Sequence, residues 1–270
     1  MSWRRRTAHR SGSIAMTLTT ETLLLSVAMA SAAGLMGAFA VMRRMALASD
    51  ALSHVALPGI GVALALRVHP ALGAMAALGL GAILIWSLEH RTRMPTETII
   101  GVVFSAALAA GSMMASGDEL LDVLLGSPVA LGLLETAGGI VAAACIIAFV
   151  ITHKERLVVS LVSADLARTS GIPVEPLELA FLLAFALTVG LGLRYLGVLL
   201  MGSLIIIPAA SAKYIARSLD GMLRISVALA IGSTLLGEVL ASRLHRPSGP
   251  LIIAVAASLF FASLLLRPRR

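Results

Sequence analysis

The sequence has 270 residues, of which 59% are hydrophobic and only 13% are charged, and its mean hydropathy is +0.98. Soluble domains carry about 25% charged residues, so a water-soluble globular protein is excluded. Only 4% of the residues are aromatic, and the apolar runs are long, whereas an outer-membrane barrel has short alternating segments with aromatic girdles. The composition therefore predicts an all-α, polytopic integral membrane protein.

The formal net charge of +7 does not indicate a nucleic-acid partner. The basic residues stand in short clusters between apolar runs, as they do in loops that set membrane topology. These clusters lie at 4–6, 43–44, 91–93, 154–156 and 267–270. The single cysteine, Cys145, excludes an internal disulfide and a thiolate metal cage. The expected surroundings are membrane lipid, and we expect no nucleic acid.

Nine apolar runs follow one another along the chain, and a spanning helix needs about 20 such residues. The runs cover residues 18–42, 46–66, 70–88, 99–116, 133–151, 178–193, 196–214, 223–242 and 250–266. We therefore expect a helical bundle with eight or nine transmembrane helices. It forms a single domain, 17–267, between a basic leader, 1–16, and a basic tail, 268–270.

Positive charge predicts that the segments 89–97, 152–177 and 267–270 are cytoplasmic. Counting spans back from them places the arginine pair at 43–44 in the cytoplasm and the amino terminus outside. The basic leader "WRRRTAHR" (3–10) favours the opposite side. Either the first run does not span, or the leader is overridden, or translation begins at Met16; the leader also resembles a signal peptide.

Asp50 and His54 interrupt the apolar run "ALASDALSHVALPGIGVALAL" (46–66). Residues four apart lie on one face of a helix, so this carboxylate and this imidazole are placed to bind one cation. Ser53 adds a hydroxyl group, and Pro58 with Gly59 predicts a kink, because proline removes a backbone hydrogen bond. The alternative is that Asp50 caps the helix and His54 is a buried, hydrogen-bonded histidine.

Two ligands do not complete a zinc site, which needs four. The others must come from elsewhere in the chain, from a second copy or from water. Glu238 is a second acidic residue inside an apolar run; it is either a pathway ligand or the partner of a cation such as Arg194 or Lys213. A charged side chain near the bilayer centre is costly, so each of these residues needs a reason.

The segment "KERLVVSLVSADLARTSGIPVEP" (154–176) separates two predicted spans. Ser163 or Asp165 is placed to cap a short helix, which Gly171 and Pro173 then end. Such a helix is either a docking element for a soluble partner or an ordinary interfacial helix. The sequence contains no P-loop, no H-E-x-x-H and no G-x-S-x-G, so we expect no ATP hydrolysis or other enzymatic activity in this chain.

The stretch "GAFAVMRRMALASDALSHVALPGIGVALAL" (37–66) resembles the signature of permease subunits in bacterial zinc/manganese/iron ABC importers, the ABC-3 family. In that family an arginine pair precedes G-D-x-x-x-H-x-x-x-P-G, and Asp50, His54, Pro58 and Gly59 stand at the matching positions. Further segments match in order from about Met16 onward: "TETIIGVVFSAALAAG" (96–111), "ADLARTSGI" (164–172), "LGVLLMGSLIIIPAASA" (196–212) and "RPSGP" (246–250).

Two positions depart from the family pattern. Ser49 stands where a glycine commonly precedes the aspartate, and His245 stands near an acidic position before the proline–glycine turn. The second departure affects an extracytoplasmic loop, where His245 changes a partner contact or adds a transient metal contact.

The resemblance implies a permease homodimer in the bacterial inner membrane. It further implies two cytoplasmic ABC ATPase subunits and an extracytoplasmic metal-binding protein. Zinc, manganese or iron is then the cargo, with no permanently bound cofactor, and Asp50 and His54 are its ligands. The segment 163–172 becomes the coupling helix, and the residues that couple to the ATPase are Ser163, Ala164, Asp165, Leu166, Ala167 and Gly171. The alternatives are an ABC importer for a metal chelate or vitamin and an ATP-independent metal transporter.

Overall fold

The computed structural model describes residues 20–92, 94–114, 132–196 and 198–265. Within these ranges every regular element is an α helix, which satisfies the backbone hydrogen bonds inside each segment, as a bilayer requires. The helices are α1 Thr20–Met42, α2 Ala48–Ala65, α3 Pro70–Thr92, α4 Thr96–Met114, α5 Leu133–Val162, α6 Ala164–Thr169, α7 Val174–Leu196, α8 Val198–Ile215, α9 Leu219–Leu244 and α10 Ser248–Leu265.

The predicted fold class is confirmed. In the described part of the chain, eight helices are long and apolar enough to cross a membrane, namely α1 to α5, α7, α9 and α10. The ninth predicted span is α8, whose shorter apolar stretch is Met201–Ile215. The leader, 1–16, and the tail, 268–270, lie outside the described residues, so the predicted domain limits stay a prediction.

Small residues bring the helix backbones close together. A Cβ atom built on Gly37 of α1 would lie 2.0 Å from the carbonyl oxygen of Ile205 in α8. Gly59 of α2 and Gly73 of α3 oppose each other in the same way. Because lipid is as apolar as the side chains, close backbone approach of this kind is a main source of helix association in membranes. Helix α1 lies at the centre, packed against α5, α8 and α9.

The expected long connection at 152–177 is mostly helical. The apolar run predicted α5 to end near residue 151, but the helix continues to Val162. Lysine, glutamate and arginine are good helix formers, and they can be helical outside the membrane. The helix therefore continues through Lys154, Glu155 and Arg156 beyond its apolar part. Lys154 of this extension donates to Asp220 at the start of α9, with Nζ 2.9 Å from Oδ1.

Several helix ends meet at one face of the bundle, which we call the inner face. Arg43 after α1, Glu89 near the end of α3, Thr96 at the start of α4, Ser160 near the end of α5 and Glu178 near the start of α7 line a common cavity. This arrangement requires the successive spans to cross in alternating directions. The inner face carries the basic clusters that predict the cytoplasmic side.

Candidate metal site and coupling helix

Asp50 is the third residue of α2, close to the inner face. The helix begins after a tight turn in which Arg44 has a left-handed φ of 60°, and its N-cap residue, Leu47, makes no side-chain cap hydrogen bond. The Asp50 side chain is exposed. Within the described ranges, no donor or cation contacts its carboxylate, so the alternative in which Asp50 caps the helix is not observed.

His54 lies one helical turn deeper and is half-buried. Its Nδ1 atom is buried and has no hydrogen-bond partner among the residues that the structure describes. The ring meets Phe104 of α4 edge-on, with 5.4 Å between the ring centroids. A buried polar atom without a partner is costly, so the alternative of a hydrogen-bonded structural histidine does not describe this residue.

Ser53 and Ser49 secure the backbone of this turn. Ser53 Oγ donates to the carbonyl oxygen of Asp50 at 2.6 Å, and the side chain is fully buried. Ser49 Oγ lies 3.4 Å from the carbonyl oxygen of Gly202 in α8. The hydroxyl protons of both serines thus point to backbone carbonyls rather than outward.

Gly202 brings α8 against the Asp50 turn. A Cβ atom at Gly202 would lie 3.5 Å from the Asp50 Cα and Cβ atoms, which is ordinary van der Waals contact. The sequence analysis did not predict Gly202 and Phe104 as neighbours of the site. Their position inside the segments that carry the family resemblance is the sequence feature that could have indicated them.

Pro58 and Gly59 lie in the outer half of α2, and the helix continues through them to Ala65. Because Pro58 has no N–H, the carbonyl group of His54 lacks its helical donor. Gly59 packs on α3, where an added Cβ would lie only 2.2 Å from the Gly73 carbonyl oxygen. Gly111 of α4 packs less closely, with an added Cβ 3.0 Å from the Cβ atom of Leu57. The predicted kink stays a prediction.

Glu238 does not join the Asp50–His54 pair. Its Oε1 atom accepts a hydrogen bond from Ser26 Oγ of α1 at 2.7 Å, while Oε2 is buried without a partner. Helix α9 packs against α1, α8 and α10, and Glu238 lies near the end of α9 opposite to the inner face. Its partner is therefore Ser26 rather than the predicted Lys213; the side chain of Arg194 lies outside the described residues.

His245 forms the C-cap of α9 in the left-handed region, with φ 52° and ψ 44°. Its side chain is exposed at the end of α9 opposite to the inner face. His245 is thus separated from Asp50 by the length of the bundle. In the described part of the chain, no group of three or more His, Cys, Asp or Glu side chains is arranged to hold a metal ion, so Asp50 and His54 stand as a pair.

Helix α6, Ala164–Thr169, follows α5 directly at the inner face. Ser163 is its N-cap, and its Oγ atom accepts a hydrogen bond from the backbone N–H of Leu166 at 3.2 Å; of the two predicted capping residues, it is Ser163 that caps. Asp165 instead pairs with Arg168 at 3.3 Å. After the helix, Gly171 takes a φ of 75°, a conformation that glycine adopts without strain.

The two sides of α6 differ in burial. Ala167 is fully buried against the bundle, whereas Leu166 is 54% exposed. The helix therefore presents a short surface with one apolar side chain outward from the inner face.

The model of the ABC 3 transport family matches residues 15–267 of this chain. The high-affinity zinc uptake system membrane protein ZnuB of Haemophilus influenzae is 28% identical over 87% of this chain and 92% of its own length. The manganese transport system membrane protein MntC of Listeria innocua is 28% identical over 93% of this chain and 91% of its own length.

A solved structure, PsaBC from Streptococcus pneumoniae in complex with Fab, is similar with a TM-score of 0.79 and 26% identity. The similarity covers 92% of this chain and 91% of the matched chain. Together with the apolar helices, these similarities identify a multi-pass inner-membrane protein. Since the family model covers nearly the whole chain, the protein belongs to the ABC 3 transport family.

Proposed function

We propose that this chain is the permease subunit of an ABC importer that moves a divalent transition metal, namely zinc, manganese or iron. The observation that carries the proposal is the pair of ligand groups that α2 leaves without partners. Within the described part of the chain, the Asp50 carboxylate has no partner and the buried Nδ1 atom of His54 makes no hydrogen bond. A transport protein with a carboxylate and an imidazole one turn apart inside a span is suited to a metal cargo.

Asp50 supplies negative charge and a hard oxygen ligand, and His54 supplies a nitrogen ligand. This combination suits zinc, manganese and iron alike. Water or a second copy of the chain fills the remaining positions around the ion. Two protein ligands hold the ion strongly enough to replace part of its hydration and weakly enough to release it, as conduction requires.

The two relatives described above are equally identical to this chain, at 28% each, and one is named for zinc and the other for manganese. Overall identity therefore does not choose the metal. The relatives favour a metal importer over the alternatives of a vitamin importer and an ATP-independent transporter.

The partners follow from the same proposal. Two permease copies form the pathway, two ABC ATPase subunits bind at the inner face, and an extracytoplasmic protein delivers the metal. The exposed Leu166 and the capped, six-residue helix α6 support docking of the ATPase at the segment 163–171. ATP hydrolysis takes place on the separate ATPase, and this chain performs no covalent chemistry.

The direct test is metal uptake by the complete importer in lipid vesicles. We expect ATP-dependent uptake of a free divalent metal when all three components are present. A preparation that lacks the ATPase subunit is the control, and we expect no uptake from it. Uptake that persists without the ATPase would favour the ATP-independent transporter, and uptake of a chelate in preference to the free ion would favour the chelate importer.

A further inference from the structure

Arg43 occupies an unusual position between α1 and α2. Its side chain enters a cavity of about 170 Å³ at the inner face, where it is joined by Glu89, Thr96, Ser160 and Glu178. The ends of four helices, α3, α4, α5 and α7, and the turn after α1 contribute to this cavity. We call this arrangement the Arg43 junction.

Arg43 contacts a hydroxyl group and an aromatic ring in this conformation. Its Nη2 atom donates to Ser160 Oγ of α5 at 3.4 Å, and the guanidinium carbon lies 4.5 Å from the ring centroid of Phe181 in α7. Its Nε atom is buried without a hydrogen-bond partner. Among the described residues, no carboxylate forms an ion pair with it.

Two carboxylates nevertheless face Arg43 across the cavity. Burial lowers the pKa of the Arg43 guanidinium, and the charges of Glu178 and Glu89 oppose this shift. Arginine remains protonated in proteins, so a cation sits here without an ion-pair partner. Removing a charge from water without pairing it is costly, and the junction is therefore incomplete in this conformation.

Both carboxylates have other neighbours. Glu89 accepts a hydrogen bond from the Thr96 hydroxyl of α4. Glu178 Oε2 lies 3.5 Å from Nε2 of His90 in α3. Glu178 thus has only a long contact with His90, whereas Glu89 would have to give up a hydrogen bond. Glu178 is therefore the carboxylate that can turn to Arg43 at the smaller energetic cost.

The junction connects two parts of the chain that must communicate in a transporter. We define the coupling arm as residues 157–181, which comprise the last turns of α5, all of α6 and the first turns of α7. Ser160 and Phe181 belong to the arm, on either side of the docking helix α6. Arg43 belongs to the short turn before α2, and Asp50 follows seven positions later.

That turn is firmly folded. The backbone N–H of Met45 donates to the carbonyl oxygen of Ala40 at 2.8 Å, and the N–H of Ala48 donates to the carbonyl oxygen of Met45 at 3.0 Å. Met45 is itself buried. A displacement of Arg43 therefore displaces the start of α2 and the Asp50 carboxylate with it.

Glu178 and Phe181 are three residues apart on α7, almost one helical turn. Sliding of α7 along its axis by roughly 4.5 Å would replace the Phe181 ring beside Arg43 by the Glu178 carboxylate. Exchanges of one turn between packed elements are a known form of conformational switching. The pairing that this conformation lacks would then form in another.

We propose that Arg43 is a positioning residue that transmits movement of the coupling arm to the metal-binding helix α2, by exchanging its contacts with Ser160 and Phe181 for the carboxylate of Glu178. The inference rests on the proposed function, because it needs a transport cycle in which α6 is moved by an ATPase. Arg43 does not touch the cargo. Arg43 determines how far the movement driven by ATP hydrolysis displaces Asp50.

The test compares Arg43→Gln with Arg44→Gln in the complete importer in lipid vesicles. Arg44 is the matched control, since it is the adjacent arginine in the same turn and its side chain is exposed. ATP hydrolysis and metal uptake are measured on the same vesicles. For Arg43→Gln we expect continued ATP hydrolysis with roughly tenfold less metal taken up per ATP, a size typical of a lost coupling interaction. For Arg44→Gln we expect the wild-type ratio.

A second variant tests the exchange of partners. Glu178→Gln should lower the uptake per ATP as Arg43→Gln does, and the double variant should be no worse than the more affected single variant. Such non-additivity is expected when two residues act through one interaction. Arg43→Lys keeps the charge without the planar guanidinium, and we expect an intermediate ratio.

The outcomes separate coupling from structure and from the proposed function. An unchanged ratio in assembled Arg43→Gln importer, or an equal loss in Arg44→Gln, would overturn the inference. If Arg43→Gln does not assemble, Glu178→Gln decides by the same ratio, and a wild-type value there overturns the inference. If the wild-type importer takes up no metal, the proposed function fails, and with it the basis of the inference.

Discussion

The two halves of α2 differ in how their residues contact the neighbouring helices. In the inner half, Asp50 is exposed and His54 has a buried ring nitrogen, and neither group has a partner among the described residues. In the outer half, Gly59 meets Gly73 of α3 so closely that a single methyl group would collide with a carbonyl oxygen. The inner half contains polar groups without partners among the described residues, and the outer half is packed so closely on α3 that it has no space for a further methyl group.

This difference indicates which substitutions in α2 should affect the stability of the fold and which should affect the proposed transport. The close glycine contact fixes α2 against its neighbours through van der Waals packing. The unpaired groups do not stabilise the fold, because an unsatisfied polar atom near the membrane interior is unfavourable. We therefore expect substitutions in the inner half to change transport and substitutions in the outer half to change stability.

The largest effect is expected from the ligand pair. Asp50→Asn or His54→Gln should reduce metal uptake by at least about a hundredfold, because even residues that only orient metal ligands cost 10- to 100-fold when they are changed. The thermal stability of the importer should stay close to wild type. Uptake of radioactive zinc or manganese by vesicles, normalised to assembled importer, measures the effect.

Matched controls for these variants are Asp220→Asn and His69→Gln. Asp220 forms an exposed ion pair with Lys154, and His69 is exposed in the turn between α2 and α3. Both should transport near the wild-type rate. Equal losses in the controls and in the ligand variants would mean that charge or expression, not metal binding, explains the result.

The next effect is on the outer half. Gly59→Ala places a Cβ atom 2.2 Å from the Gly73 carbonyl oxygen, so α2 and α3 must move apart. Overpacking of this kind costs about 1–3 kcal/mol of unfolding free energy. Thermal unfolding of the detergent-solubilised importer should show a lower midpoint.

Gly79→Ala in α3 is the control for Gly59→Ala, because an added Cβ there has no neighbouring atom within 4 Å. Alanine favours helix over glycine by about 0.8–1 kcal/mol, so this variant should be neutral or slightly more stable. If both alanine variants unfolded alike, the close contact between α2 and α3 would not be what stabilises the outer half.

The local features of these regions could be predicted from the sequence. The i, i+4 spacing placed Asp50 and His54 on one face, and the sequence limited the cap of α6 to Ser163 or Asp165, because both features depend on neighbours within one turn. Whether Asp50 caps α2 also depends on neighbours within one turn, and the structure shows no side-chain cap on this helix.

Contacts between distant segments could not be predicted in this way. Arg43 and Ser160 are 117 positions apart, and Ser26 and Glu238 are 212 apart. Only packing of the helices brings such residues together, so the hydrogen bond from Ser26 to Glu238 was not predicted and the Arg43 junction was missed. The length of α5 was underestimated because hydropathy marks the membrane and not the end of a helix.

A smaller effect is expected where α8 meets the inner half. Gly202→Ala should be tolerated, because its Cβ would make ordinary contacts of 3.5 Å with Asp50. Gly202→Val adds two methyl groups toward the Asp50 turn and should raise the KM for metal by about tenfold through displaced ligand geometry. Uptake measured over a range of metal concentrations distinguishes KM from maximal rate. Equal KM values for the two variants would show that the close approach of α8 does not shape the site.

The smallest effect on stability is expected from substitutions of the N-cap residues of the helices. Helix α2 begins without a side-chain cap, whereas α6 is capped by Ser163 and α9 by Ser218. Ser163→Ala and Ser218→Ala should each lose about 1 kcal/mol of local stability. Only Ser163→Ala should also lower ATP-dependent uptake, because α6 is the proposed docking helix. A loss of uptake in both variants would remove the special role of α6.

The central claim is that the transported metal contacts Asp50 and His54, and X-ray absorption at the zinc edge tests it directly. The importer is loaded with zinc in the absence of ATP, as wild type and as His54→Gln, with His69→Gln as control. We predict that the wild-type and control spectra contain the scattering of one imidazole more per zinc than His54→Gln. Identical spectra for all three, at equal zinc occupancy, would contradict the claim.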